Sequence, residues 1–176
     1  MLLRAALPLL LLASCASQPK ARLLPQAKYL QSHLVDIDKA AHEGDAQAQF
    51  ERAEIYELGR GVKMDVFRAR EFFAKAANQG HLQARLMLAF YQQEGLGGPE
   101  DRSAALDAYL QLESQGVAEA DFALGNFFAY GPLRSPQMAE HWYWRGFKLG
   151  NEQCKAGVER LYRRIPDVNP VLVFSE

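Results

Sequence analysis

A single step of 36 residues governs this chain. Gly44, Gly80 and Gly116 stand at that interval, and so do Ala48, Ala84 and Ala120. The copies read GDAQAQFERAEIYELGRGVKMDVFRAREFFAKAANQG, GHLQARLMLAFYQQEGLGGPEDRSAALDAYLQLESQG and a third variation opening GVAEADFALGNFFAYG. A unit of this size cannot close a core of its own, so it buries its apolar face against the next copy and the chain must stack. The expected fold class is therefore all-α, a helical solenoid. Such stacks present an extended surface rather than a pocket, which puts a scaffold or adaptor ahead of an enzyme.

Each copy reads as helix, turn, helix. Ala48, Arg52, Ile55 and Tyr56 recur at helical spacing, Gly59-Arg60-Gly61 turns the chain, and Asp65 caps a helix running through Lys75 and Ala76 to Gly80. In the second copy Ala84, Leu88, Ala89 and Tyr91 make the first helix. Gly95-Leu96-Gly97-Gly98-Pro99 makes the turn, and Asp101 or Ser103 caps the helix carrying Ala105 and Tyr109. The third keeps Ala120, Leu124, Gly125 and Phe128, turns at Gly131-Pro132 and returns through Ala139, Trp142 and Tyr143 to Gly150. It is two residues shorter, and the deletion belongs in its loop, around residues 133–136.

Both ends look like half-repeats. Asp38-Lys39-Ala40-Ala41 echoes Ala74-Lys75-Ala76-Ala77 at the same step, so residues 29–42 form a lone second helix. Residues 151–164 form a first helix without its partner, with Lys155, Glu159, Arg160, Arg163 and Arg164 on a polar outer face, as a terminal cap requires. The solenoid of about eight helices thus spans 29–164, divided at 29–43, 44–79, 80–115, 116–149 and 150–164. Pro166 and Pro170 stop helix in the tail, 165–176, where the apolar run Val171-Leu172-Val173-Phe174 either packs back on the solenoid or serves a partner. Packing is the preferred reading.

An address precedes the stack. Residues 1–14 carry one positive charge at Arg4, an apolar run from Ala5 to Leu12 and small residues before Cys15, the pattern of a secretory signal too short to span a bilayer. Leu12-Ala13-Ser14-Cys15 resembles the lipobox of bacterial lipoproteins. The resemblance implies cleavage before Cys15, lipidation of its sulfur and acylation of the new amino group, an anchor of three chains that holds permanently. Ala16 rather than Asp follows the cysteine, which in such lipoproteins favours the outer membrane and its periplasmic face. Residues 15–28 are then a short tether.

The repeats themselves resemble the Sel-one-like repeat, a relative of the tetratricopeptide repeat. Its pattern is matched by Ala48, Arg52-Ala53, Tyr56, Gly59-x-Gly61-Val62, Asp65, Arg68-Ala69, Phe72-Phe73, Ala76-Ala77 and Gly80. The second copy departs at Ala108-Tyr109 and Leu112-Glu113, and the third loses the Gly-x-Gly-Val loop but keeps an aromatic pair at Trp142-Tyr143. The resemblance implies a right-handed superhelix of antiparallel helix pairs whose first helices line a concave face. It also implies service as an envelope adaptor, in polysaccharide export, motility or secretion assemblies. By the tetratricopeptide analogy that face carries Gln47, Phe50, Glu54 and Glu57, then Gln83, Leu86, Phe90 and Gln93, then Glu119, Phe122 and Asn126. Phe50, Leu86 and Phe122 share one repeat position and are expected in the core. Glu54, Glu57, Phe90, Gln93 and Asn126 remain as partner contacts.

Composition and motif searches narrow the chemistry. Cleavage of the signal leaves 19 Lys and Arg against 21 Asp and Glu, so no basic excess drives nucleic-acid binding. Cys154 sits 34 residues after Ala120, in the small position of the repeat, and is expected to be a buried, inert thiol. His33, His42, His81 and His141 are scattered singly with no pair on one helix face, so no metal or other cofactor is expected. Gly95-Leu96-Gly97-Gly98 lacks the Lys-Ser or Lys-Thr of a phosphate-binding loop, and no nucleophile elbow is present. An enzyme is disfavoured. The alternative from another class is a glycan-binding or cell-wall-acting lipoprotein that uses Trp142, Tyr143 and Trp144 as a sugar platform.

Overall fold

Eight helices follow one another in the computed structural model, which describes residues 25–163, with side chains from His33 onward. They are α1 (Pro25–Glu43), α2 (Ala46–Leu58), α3 (Val66–Asn78), α4 (Leu82–Glu94), α5 (Arg102–Ser114), α6 (Ala118–Tyr130), α7 (Pro136–Lys148) and α8 (Glu152–Tyr162). The signal, Cys15, Arg164 and the apolar tail lie outside the described residues. α1 begins at Pro25, four residues ahead of the expected boundary. Helices α2 to α7 are each 13 residues long, because every one of them crosses the same layer once before a glycine or polar cap turns the chain back.

The ends of the helices follow from their caps. Asp65 accepts from the backbone N–H groups of Phe67 and Arg68, and Asp101, not Ser103, accepts from Ala104. His81 does the same work for α4: Nδ1 accepts from Ala84 N–H at 3.1 Å, which makes Nε2 the donor to Gln47 Oε1, 2.9 Å away on α2. Gly59 and Gly95 end α2 and α4 at φ of +66° and +65°, a region closed to side chains with a β-carbon at low cost. Arg70 of α3 then ties the second turn to the first repeat by donating to the carbonyls of Leu96 and Pro99 at 3.1 Å. The third turn, residues 131–135, has five residues where the others have seven, so the deletion falls in the loop as the repeat alignment requires.

Between repeats the helices meet at small residues. Ala48, Ala84, Ala120 and Cys154 hold equivalent places on α2, α4, α6 and α8, and all four are buried. Burial, reinforced by Asp121, pushes the Cys154 thiol up to about 12, so it stays protonated and packs as a small apolar group. Arg52 departs from this pattern, a buried cation where the repeat favours leucine. It is neutralised by Asp38 of α1 at 2.7 Å and donates to the Tyr56 hydroxyl at 3.0 Å, so the first half-repeat covers the stack and also supplies its counter-charge.

The tightest packing is at the other end. The ring of Tyr143 on α7 lies between Gly125 of α6 and Gly157 of α8, and a β-carbon at either glycine would fall inside the ring's van der Waals surface. Gly125→Ala therefore makes a sharp test, because in an open helix interior the same change stabilises by about 0.5–1 kcal/mol. Here overpacking against a rigid ring reverses the sign. Thermal unfolding of Gly125→Ala should show a net loss of roughly 1–3 kcal/mol; a gain in stability would mean that the helices do not approach this closely.

Candidate functional site: the face of the first helices

The four first helices, α2, α4, α6 and α8, lie side by side and are joined along one face. Gln47 meets His81 between α2 and α4, the Tyr91 hydroxyl donates to Glu57 at 3.0 Å, and Phe50 stacks on the His81 ring at 4.7 Å. At the far end Phe122, Gln153, Ala156, Glu159, Arg160 and Arg163 surround a depression of about 470 Å³ between α6 and α8. Carrying the repeat step across the face sets Glu54, Phe90, Asn126 and Arg160 in one column, with Phe50, Leu86, Phe122 and Ala156 in the next. The second column is half-buried in its first three members, packed on the core beneath, and forms the wall of the face rather than its contact points.

Each sequence-predicted contact residue occupies this face, but not all are equally available. Phe90 is 43% exposed, a large apolar ring at the centre of the stack. Glu54 is half-buried beside it on α2, and Gln93 is half-buried with its amide on Glu94. Glu57 was expected as an open contact; it is instead half-buried and spent on Tyr91, whose hydroxyl is raised by burial first and by the Glu57 carboxylate second. Asn126 is oriented from below. The Tyr143 hydroxyl donates to its Oδ1 at 2.8 Å, which aims the amide N–H pair away from that bond as donors.

Arg160 and Arg163 correct the sequence reading. They were assigned, with Glu159, to the outer face of a terminal cap, whereas all three line the depression with Phe122 between α6 and α8, and the repeat step places Arg160 in the column of Asn126. The signal was present in the shortened step of the third copy, since Asn126 advanced by 34 residues is Arg160. The face consequently changes character along its length, from carboxylates on α2, through an aromatic ring and amides on α4 and α6, to Arg160 and Arg163, with Glu159 beside them, around α8.

The proposed sugar platform does not form. Trp142 is 9% exposed and Tyr143 is fully buried in the core, leaving only Trp144 partly accessible. Consecutive helical residues point about 100° apart, so three in a row cannot share a face, and the two that meet the core are removed from solvent. Outside the face, α7 carries a second shallow depression lined by Gln137, Glu140, His141, Trp144, Arg145 and Lys148. It rests on one helix only.

Beneath the face lies a buried carboxylate. Asp121, next to Phe122, accepts from Arg145 Nη1 at 3.3 Å through one oxygen, while Arg145 also pairs with Glu113 of α5. The other Asp121 oxygen is buried without a hydrogen-bond partner, and burial pushes this carboxyl up to about 6 from an ordinary 3.8. A raised carboxyl favours the protonated form in the folded state. Its contribution to stability is fully present below about 3.8 and is lost as pH rises through about 6. The difference in unfolding free energy between wild type and Asp121→Asn, followed by denaturant titration, should therefore change by on the order of 2 kcal/mol between pH 4 and pH 7.5, with the wild type losing ground towards the higher pH. A pH-independent difference would place Asp121 in water.

A stack of antiparallel helix pairs repeating at this step is a helical-repeat solenoid. The chain belongs to the Sel1 repeat family, whose model matches residues 46–81, 82–116 and 118–151. Sel1 repeats mediate protein–protein interactions. The chain is similar to an exopolysaccharide production negative regulator of Rhizobium leguminosarum bv. viciae, 32% identical over 66% of this chain and 50% of the relative. It is also similar to chitin synthase regulatory factor 4 of Schizosaccharomyces pombe, 25% identical over 81% of this chain and 22% of the relative. It therefore spans half the length of these relatives or less. Among solved structures, it superposes on a protective antigen of uropathogenic Escherichia coli with an SLR fold, at a TM-score of 0.69 and 25% identity over 77% of this chain and 30% of that one. A Sel1 repeat protein from Oxalobacter formigenes gives 0.61 and 27% over 82% and 66%. Both relatives are named as regulators.

Proposed function

We propose that this protein is an adaptor of the bacterial envelope, anchored through a lipidated Cys15 at the periplasmic face of the outer membrane, whose first-helix face holds a segment of a protein partner. The observation that carries the reading is the column Glu54, Phe90, Asn126 and Arg160. Phe90 is the one large exposed ring on it, in the place where a central anchor contributes most to binding. The amides around it satisfy backbone groups of a bound segment, and the charges at the two ends select its direction, basic residues towards α2 and acidic residues towards α8. The names of the two relatives, both regulators tied to polysaccharide synthesis, support an assembly concerned with exported polysaccharide ahead of motility or secretion.

Two measurements test this reading. Phe90→Ala combined with Glu54→Lys removes the anchor and opposes a basic residue, so crosslinking to the main envelope partner should disappear while the helical circular-dichroism signal is unchanged. Glu54 serves better here than Glu57, because reversing Glu57 would also break its bond with Tyr91. Undiminished crosslinking in this variant would remove the face from the interaction. For the anchor, Cys15→Ser should abolish palmitate labelling and leave the precursor uncleaved; labelling that persists would show that Cys15 is not the modified residue.

A further inference from the structure

The turn between α2 and α3 differs from its counterpart one repeat later in a consistent direction. Leu58, Met64 and Phe67 are 53%, 62% and 70% exposed, and Phe67 is the most exposed large apolar residue among those described. Arg60 and Lys63 are exposed between them and Arg68 directly after. One repeat later the same six places hold Glu94, Glu100, Ser103, Leu96, Pro99 and Ala104. Residues 58–68 therefore carry a net charge of +2 and three exposed apolar side chains, whereas residues 94–104 carry −2. Arg68 is engaged within the fold, donating to the Tyr56 hydroxyl at 2.8 Å and pairing with Asp65, but the second repeat folds without the apolar set and without a cation at the places of Arg60 and Lys63.

Chain direction adds a second, independent observation. α1 runs antiparallel to α2: Ala41 meets Gln49, Asp38 meets Arg52, and Leu34 reaches Gly61, where a β-carbon would lie 2.7 Å from its Cδ1. Pro25, nine residues further back, thus lies on the side of the first turn, about 13 Å beyond Leu34 along the helix. Between Cys15 and Pro25 the chain can reach at most about 35 Å. An anchor at Cys15 would therefore enter from the side of this edge and hold it nearer the bilayer than the opposite one.

We propose that the edge formed by Leu58, Arg60, Lys63, Met64, Phe67 and Arg68 lies against an anionic lipid surface. The proposal rests on the lipid-anchor reading for its tether, and on the side chains alone for its chemistry. Apolar groups enter the headgroup boundary while Arg60 and Lys63 pair with lipid phosphates and Arg68, held by Tyr56 and Asp65, adds positive charge beside them, the combination used by interfacial segments. The attraction need not be strong, because a short tether makes the contact intramolecular. Lying on this edge, the molecule would keep the column from Glu54 to Arg160 on a side face, open to a partner.

The test uses the full chain in vesicles of one part phosphatidylglycerol to three parts phosphatidylethanolamine. An NBD label is placed at Met64→Cys, or at Glu152→Cys on the opposite edge; Cys154 is fully buried and does not compete for it. Emission at Met64→Cys should shift to the blue and fall about twofold when brominated lipid is included, with no change at Glu152→Cys. Adding Arg60→Glu and Lys63→Glu, or replacing phosphatidylglycerol by phosphatidylcholine, should remove most of the effect. Equal responses at the two positions, or a response at Met64→Cys that requires a membrane protein extract and not lipid alone, overturns the proposal. The two readings separate cleanly. A chain that takes palmitate and floats with vesicles but leaves Met64→Cys water-like keeps its anchor and loses this edge. A chain without palmitate that still shows the lipid response when Cys15→Ser leaves residue 64 as the accessible thiol loses the anchor and keeps the edge.

Discussion

Close approach of neighbouring helices at small residues is the constraint on which the rest of this structure depends. No helix pair here encloses enough apolar surface to stand alone, so each repeat is stable only through what it buries on the next. Ala48, Ala84, Ala120 and Cys154 permit that contact on one side of the first helices, and Gly125 and Gly157 permit it around Tyr143. The uniform helix length and the conserved positions of the caps follow from it, since helices that slide against one another lose this register. Function inherits the same regularity. A column of side chains one repeat apart becomes a continuous surface only because the helices carrying them are locked side by side.

Polar groups inside such a stack must be satisfied by neighbours rather than by water, and the structure does this at both ends. Arg52 sits in an apolar position and is answered by Asp38 from the preceding half-repeat. Asp121 is answered by Arg145, which reaches across to Glu113 on α5 and so joins second helices of successive repeats. Neither is complete: Arg52 Nε and Asp38 Oδ1 face each other as an ion pair without hydrogen-bond geometry, and one Asp121 oxygen lacks a partner. Buried ion pairs of this kind add little net stability compared with an apolar pair, but removing one partner is costly, so they fix which helix lies next to which.

The proposed binding face shows how packing and recognition compete for the same residues. Glu57 and Asn126 both belong to the repeat positions that face outward, yet each is engaged by a tyrosine hydroxyl from a neighbouring helix. The outcomes differ. Glu57 gives up an acceptor to the interior, whereas Asn126 gives up its oxygen and is left with its donors oriented. What the face would offer a partner is therefore a carboxylate at Glu54, a ring at Phe90, amide donors at Asn126 and guanidinium groups at Arg160 and Arg163 beside Glu159.

The sequence by itself determined the repeat, the helix pairs and most of their boundaries, because these rest on local properties: apolar spacing, an aspartate at a cap, a glycine that can adopt positive φ. It also placed the buried Cys154 and the loop deletion in the third copy, both readable by counting residues. The tertiary structure decided which side chains are left over. Trp142 and Tyr143 are neighbours of Trp144 in the chain but are taken into the core while Trp144 stays half-exposed at its rim, and Arg160 takes the repeat position of Asn126, 34 residues earlier. A side chain's partners in a solenoid come from the next repeat, and local pattern carries no information about which of two outward-facing neighbours will be claimed by a hydroxyl from the helix beside it.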